Sequence, residues 1–206
     1  MILVDRNVDQ TLAKAGCDYI TFIGSDFIDQ GRRAGEKLAE ITGGKGKIIQ
    51  LEGTTGSSPA NDRKKGFDEA IAADDRFEIV ASQTGDFARD KGRQVMETLL
   101  RAHPEVDAVY AHNDEMAIGA IAALKAAGRK PGQDVTLVSI DGERAALEAI
   151  VDGELGASVE CNPRFGPKAA ETTLAYAAGQ TIPPKIINPD KFFDASNAKE
   201  NIAAAY

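Results

Sequence analysis

Val109-Tyr110-Ala111-His112-Asn113-Asp114-Glu115-Met116-Ala117-Ile118-Gly119-Ala120 is the stretch that decides the fold. The mostly apolar run from Val106 to Ala111 reads as a buried strand, and it stops abruptly at an Asn-Asp-Glu cluster. That cluster opens a helical segment, Met116 to Leu124. In an open parallel α/β sheet such a junction lies at the carboxyl edge, where ligands bind.

The same hand-over recurs along the chain. Met1-Ile2-Leu3-Val4 ends in Asp5-Arg6, and Lys47 to Leu51 ends in Glu52-Gly53-Thr54-Thr55-Gly56. Glu78 to Ala81 runs into Gln83-Thr84-Gly85-Asp86-Phe87, and Val135 to Ile140 into Asp141-Gly142. Each strand delivers neutral polar groups, carboxylates or arginines, with almost no histidine or cysteine. Such an inventory suits holding a hydroxylated small molecule and suits chemistry poorly.

Between the strands lie amphipathic segments: Phe27 to Thr42 stopped by Gly43-Gly44, a helix from near Ser58, Ala88 to Ala102, Glu115 to Ala127, and Glu143 to Val151. Asp18 to Ile23 and Leu155 to Val159 read as further strands. Phe165 to Ala178 reads as a helix, Ile186 to Phe193 as an extended tail, and Asn197 to Tyr206 as a short helix. Strand, polar edge and helix in repetition predict an α/β fold with doubly wound parallel sheets.

Composition narrows the partners. With 206 residues, 43% of them hydrophobic and 27% charged, the chain can bury a core and make one large or two small domains. A net charge of −8 leaves no basic surplus for phosphates, so no nucleic-acid partner is expected. No apolar run reaches the roughly 20 residues of a membrane span, so the chain is not expected to be membrane-embedded. The opening residues lack the basic start and long apolar stretch of a signal peptide. A start in mid-strand suggests a fragment of a longer parent. Cys17 and Cys161 form no metal-ligand cluster, and unpaired thiols are expected.

Several motifs together carry a family resemblance. They are Val4-Asp5-Arg6, Gly24-Ser25-Asp26, Glu52 to Ser58, Asp62-Arg63-Lys64-Lys65-Gly66-Phe67, Ser82 to Phe87, Ala111 to Met116, and Ile140-Asp141-Gly142. In this order and spacing the chain resembles the periplasmic sugar-binding proteins of ABC transporters, in the ribose- and galactofuranose-binding group. The long loop between Arg6 and Ser25, and Glu160 where a glutamine would otherwise stand, look more like the galactofuranose branch. The resemblance implies a periplasmic binding protein-like fold of two lobes joined by three crossings, with a sugar held in the cleft between them. It implies a remnant of the first lobe at residues 1–25 with 162–185. The second lobe would be residues 26–161 with 186–206. About half of the first lobe and the signal peptide would be missing. The implied partners are a galactofuranose- or ribose-like monosaccharide and a membrane permease, and the implied location is the periplasm. No cofactor or metal is expected.

A sugar ring is a rim of hydroxyls around a weakly apolar face, each donating one hydrogen bond and accepting up to two. Carboxylates and amides as acceptors, and arginine as a donor fork, match it, and charge-assisted bonds are the stronger ones. On this chemistry and the family match, Asp5 and Arg6 are expected at a strand edge in the pocket. Arg63 is expected to reach back over Thr55-Gly56, while Asn113 offers both donor and acceptor and Asp141 accepts from two hydroxyls. Asp114 is the expected helix cap or a structural partner. Phe87 could stack on the sugar or pack in the core. Glu160 could accept a hydroxyl or brace a crossing, and Thr55 and Ser25 could touch ligand or cap helices. His112 reads as a packed polar residue.

Two rival readings fit less well. The Gly53 to Ser58 turn lacks the lysine and spacing of a phosphate-binding loop. An enzyme needs a nucleophile with a base, or a tuned carboxylate pair, and neither His103 nor His112 has a partner suggested by any motif. The nearer alternative is the effector-binding core of a sugar-responsive, LacI-type transcriptional regulator, which shares the two-lobe fold. It would need a basic helix-turn-helix upstream.

Overall fold

Residues 1–73 and 75–206 are described in the computed structural model, and their strands fall into two sheets. Three short parallel strands form the smaller sheet: β1 (Ile2–Val4), β2 (Thr21–Gly24) and β8 (Lys185–Ile187), in the order β1-β2-β8. They belong to a compact unit of Met1–Asp26 with Cys161–Asp190, which also holds helix α6 (Gly166–Ala177). Cys17 is exposed and Cys161 buried, and both are thiols.

The larger unit is Phe27–Glu160 with Lys191–Tyr206. Its sheet runs β4 (Phe77–Thr84), β3 (Gly46–Glu52), β5 (Ala108–Ala111), β6 (Thr136–Asp141), β7 (Ala157–Glu160) and β9 (Phe192–Asp194). All neighbours are parallel except β9, which runs antiparallel to β7. Residues Ile48 to Leu51 of β3, and all of β5 and β7, are buried. Helices cover both faces of the sheet, which is why these strands read as continuous apolar runs rather than alternating ones.

On one face lie α1 (Phe27–Thr42) and α2 (Ser58–Ile71), where Phe67 stacks on Tyr110 at 3.9 Å between centroids. On the other lie α3 (Arg89–Ala102), α4 (Asp114–Ala126) and α5 (Arg144–Val151), around Ile49, Leu51, Val109, Ala111 and Leu137. Alternate residues of β3 and β5 thus serve the two faces, as the pleat requires. The α1–α2 crossing is unusually close. A Cβ on Gly31 would stand 2.1 Å from the Arg63 carbonyl oxygen, and one on Gly66 2.0 Å from that of Ile28. Only glycine allows the two backbones to touch there, and the contact fixes Arg63 against α1.

The carboxy-terminal segment differs from the sequence expectation. Ile186 and Ile187 pair with β2 in the smaller unit, so the extended tail divides, and only β9 joins the large sheet. The final helix shortens to α7 (Ala198–Asn201) and a 3₁₀ turn, Ile202–Ala204. Among the described residues no helix is long and apolar enough to cross a membrane.

Candidate functional site

Arg63 organises the carboxyl edge of the larger sheet. It lies on α2, whose first turn is set by the Ser57 cap (Oγ accepting from Ala60 N at 3.4 Å) and by Pro59. The side chain is buried, with 3% of the residue exposed. A buried guanidinium needs acceptors on every nitrogen, and three elements supply them. Nε donates to Gln30 Oε1 (3.0 Å), one terminal nitrogen to the His112 carbonyl (2.5 Å), and the other to Asp141 Oδ1 (3.0 Å). The rings of Phe27 and Phe87 flank it, 5.6 and 5.9 Å from Cζ to centroid. The cation is therefore fixed in direction, with the part-exposed Asp141 carboxylate beside it.

In each unit, backbone strain collects at the carboxyl ends of strands. Among the described residues, the non-glycine residues with positive φ are Asp5 (64°), Asp86 (54°), Phe87 (59°) and Asp141 (138°). Each ends a strand or follows one at its carboxyl end. Residues held in sparsely populated conformations persist only where surrounding contacts impose them, and they cluster at ligand-binding places. The Phe87 ring lies directly over Gly53, where a Cβ would come within 2.0 Å of the ring. Only a residue without a side chain leaves that ring its place.

The two residues that open α4 divide the capping and structural roles between them. Asn113 is the cap: its Oδ1 accepts from Met116 N (3.1 Å), and its Nδ2 donates to the Phe87 carbonyl (3.1 Å). Asp114, expected as the cap or a structural partner, is the structural partner, completely buried one residue further on. It accepts from Ser139 Oγ, Ser158 Oγ, Gly142 N and Glu143 N. The division follows from backbone conformation. Asn113 holds the extended φ/ψ of a cap (−151°, 167°), whereas Asp114 is already helical and points beneath the sheet edge.

The remaining predicted residues occupy several places. Glu160, at the end of β7, is buried; its carboxylate accepts from Lys191 N (3.0 Å) and its carbonyl from Gln30 Nε2 (3.1 Å). Thr55 is exposed on the turn between β3 and α2, where Ser57 does the capping. In the smaller unit, Asp5 and Arg6 form an ion pair just past β1, within a tight turn closed by Arg6 N donating to the Val4 carbonyl (2.7 Å). Ser25 Oγ donates to Asp190 Oδ1 (3.0 Å) and lies 3.6 Å from Cys161 Sγ. Arg63, Asn113, Phe87 and Asp141 thus form one connected group, with Glu160 joined to it through Gln30.

Sequence reasoning passed over Gln30 and Phe27. The available signal was a glutamine inside the apolar stripe of α1, among Phe27, Gly31, Ala34 and Leu38. His112 is wholly buried, and Nδ1 accepts from Gly53 N (3.2 Å). Burial, with the nearby charges of Arg63 and Lys64, holds its pKa well below the usual histidine value, so the ring is neutral and its carbonyl serves Arg63. Burial, reinforced by the Asp141 charge, pushes the Asp114 carboxyl up to about 8. Burial and the neighbouring Asp141 and Glu115 carboxylates raise Glu143 to about 7. Among the described residues no group of His, Cys, Asp and Glu is arranged to hold a metal ion.

The arrangement offers a fixed cation, a partly exposed carboxylate and an aromatic face. Comparison with known proteins places it. The chain is 40% identical to the galactofuranose-binding protein of Escherichia coli K12, over 98% of this chain and 64% of that protein. It is 45% identical to a Mycobacterium smegmatis protein solved with β-D-fucofuranose, covering 98% of this chain and 69% of that one, with a TM-score of 0.91. The binding component of the Shewanella sp. ANA-3 arabinose ABC transporter, solved with L-arabinofuranose, is 38% identical, with 98% and 67% covered and a TM-score of 0.93. The chain spans a little under two thirds of the curated galactofuranose-binding relative. The family model described as the periplasmic binding protein domain matches residues 1–181, and the chain belongs to that family.

Proposed function

We propose that this chain carries the sugar-holding face of a periplasmic monosaccharide-binding protein that supplies an ABC importer. The sugar is held at the carboxyl edge of the six-stranded sheet and is not chemically altered. The observation that carries this reading is the buried Arg63 guanidinium aimed at Asp141 and flanked by Phe27 and Phe87. A ring hydroxyl bridging a guanidinium and a carboxylate makes charge-assisted bonds to both, and an aromatic ring covers the apolar face of the sugar. Relatives whose names or structures specify galactofuranose, fucofuranose and arabinofuranose favour a five-membered ring. Their role as binding proteins, one of them the component of a transporter, favours transport over transcriptional regulation. In the smaller unit, Asp5 and Arg6 offer the same acceptor–donor chemistry and are proposed as ligand contacts. A membrane permease that recognises the ligand-bound form is the proposed partner, and the periplasm the proposed location.

Titration of the ¹⁵N-labelled chain with ribose, arabinose, galactose and fructose tests this. Sugars up to about 10 mM reveal even a weak, millimolar complex. We expect shifts concentrated at Gly53, Arg63, Phe87, Asn113 and Asp141. Shifts elsewhere only, or none with any sugar, contradict the reading.

A further inference from the structure

Asp114 takes no part in the ligand contacts described above, yet its buried carboxyl group accepts four hydrogen bonds at this edge. Its Oδ1 accepts from Ser139 Oγ (2.5 Å) on β6 and Ser158 Oγ (2.7 Å) on β7. Its Oδ2 accepts from the backbone N–H groups of Gly142 (2.7 Å) and Glu143 (2.8 Å). These two amides directly follow Asp141, whose φ of 138° is disfavoured for any residue with a Cβ. Such a turn needs outside support, and consecutive backbone N–H groups converging on one carboxyl oxygen supply it. Glu143 makes no side-chain cap bond for α5; the turn is also touched by Ser158 Oγ, which accepts from Gly142 N (3.0 Å), and by the Tyr206 hydroxyl, which donates to the Asp141 carbonyl.

We propose that Asp114 is the positioning residue for this site: without touching the sugar, it fixes the Asp141-Gly142-Glu143 turn so that the Asp141 carboxylate stays against Arg63. The proposal rests on the reading of this edge as the sugar site, and it adds a residue that reading does not contain. The two oxygens have different duties. The serine hydroxyls at Oδ1 can donate or accept, whereas the backbone amides at Oδ2 can only donate. A protonated Asp114 therefore keeps the turn, with its proton directed to a serine. The charge that bears on it is that of Asp141 beside it, while Glu143 contributes a backbone N–H. An asparagine can reproduce the neutral acid, its amide group towards the serines and its oxygen towards the turn. Alanine cannot.

The test uses the whole chain as Asp114→Ala and Asp114→Asn, with hydrogen exchange at Gly142 and Glu143 and affinity for whichever sugar of the panel binds the wild type. In Asp114→Ala the Glu143 N–H loses its acceptor while the Gly142 N–H keeps Ser158 Oγ (3.0 Å), which predicts about a tenfold loss of protection at Glu143, a smaller loss at Gly142, and about a tenfold loss of affinity. Asp114→Asn retains both to within about threefold, since the amide oxygen still accepts. Unchanged protection in Asp114→Ala, or lost protection with unchanged affinity, overturns the proposal. If the wild type binds no sugar, the functional reading fails separately. The proposal is then decided on the Arg63 guanidinium resonances, which must shift in Asp114→Ala if Asp141 leaves its place. Should Asp114→Ala not fold, a pH titration of the wild type decides. The Gly142 and Glu143 amide protons must follow the Asp114 carboxyl carbon, and following Asp141 or Glu143 instead refutes it.

Discussion

The guanidinium of Arg63 and the carboxylate of Asp141 lie 3.0 Å apart, although 78 residues separate them in the chain. One comes from the first half of a helix and the other from the last residue of a strand two places across the sheet from the strand that precedes that helix. The parallel order β3-β5-β6 brings them together, because each crossover returns the chain to the same edge. Binding chemistry therefore collects at that edge while the sheet behind it stays apolar.

The pair also stabilises the larger unit. With only 4% of the Arg63 side chain and 20% of Asp141 exposed, removing one partner leaves a poorly solvated charge. Asp141→Ala is expected to lower unfolding free energy by about 3 kcal/mol, because breaking a buried pair is much worse than never having made it. Arg63→Lys keeps the charge but cannot reach the Gln30, His112 and Asp141 acceptors together, so sugar affinity is expected to fall at least about tenfold. Urea denaturation and sugar titration check the two. A midpoint unchanged in Asp141→Ala contradicts the stability claim.

Gly53 offers a sharper separation of binding from folding. A methyl group there would meet the Phe87 ring at 2.0–2.4 Å, but the ring is half-buried and can swing outward. Gly53→Ala is expected to cost no more than about 2 kcal/mol, within the ordinary range for a crowded site with room to relax. The displaced ring should nevertheless abolish measurable sugar stacking. Near-native thermal stability with lost ring-current shifts on the sugar is the expected pattern. Unchanged affinity would show that Phe87 does not face the ligand.

Strand-to-helix hand-overs made the α/β architecture and the polar carboxyl edge legible, because burial on both faces forces long apolar runs and punctuates them sharply. The details that stayed hidden are those that depend on where a side chain points. Asn113 and Asp114 are adjacent polar residues with equal capping propensity, and only the extended backbone at Asn113 decides between them. Gln30 lies inside the apolar stripe of α1, but nothing local reveals its two bonds, to Arg63 and Glu160, which join segments far apart in sequence. Ile186 and Ile187 carry an apolar pattern that fits either sheet, and pairing with β2 is a long-range choice with no local signal.

The buried carboxyls give the larger unit a pH dependence whose sign can be worked out. Asp114 rises from 3.8 to about 8 and Glu143 from 4.5 to about 7 on folding, both led by burial. Between the unfolded and folded values the folded chain holds protons that the unfolded chain has released, so stability falls as pH rises through that window. His112 acts oppositely, most strongly below its unfolded value of 6.5 and fading over about the next pH unit, because the unfolded chain takes up a proton that the buried ring refuses. From about pH 7 to about pH 8 Asp114 is the larger contributor, with a slope that starts near 1.4 kcal/mol per pH unit and falls to about half of that as its folded value is reached. Asp114→Asn removes that contribution and should leave only the shallower slope of the half-buried Glu143. Urea denaturation of both proteins across the interval measures the difference. If wild-type stability is flat or rises there, Asp114 is already ionised in the folded chain, and its four hydrogen-bond donors outweigh the burial of its charge.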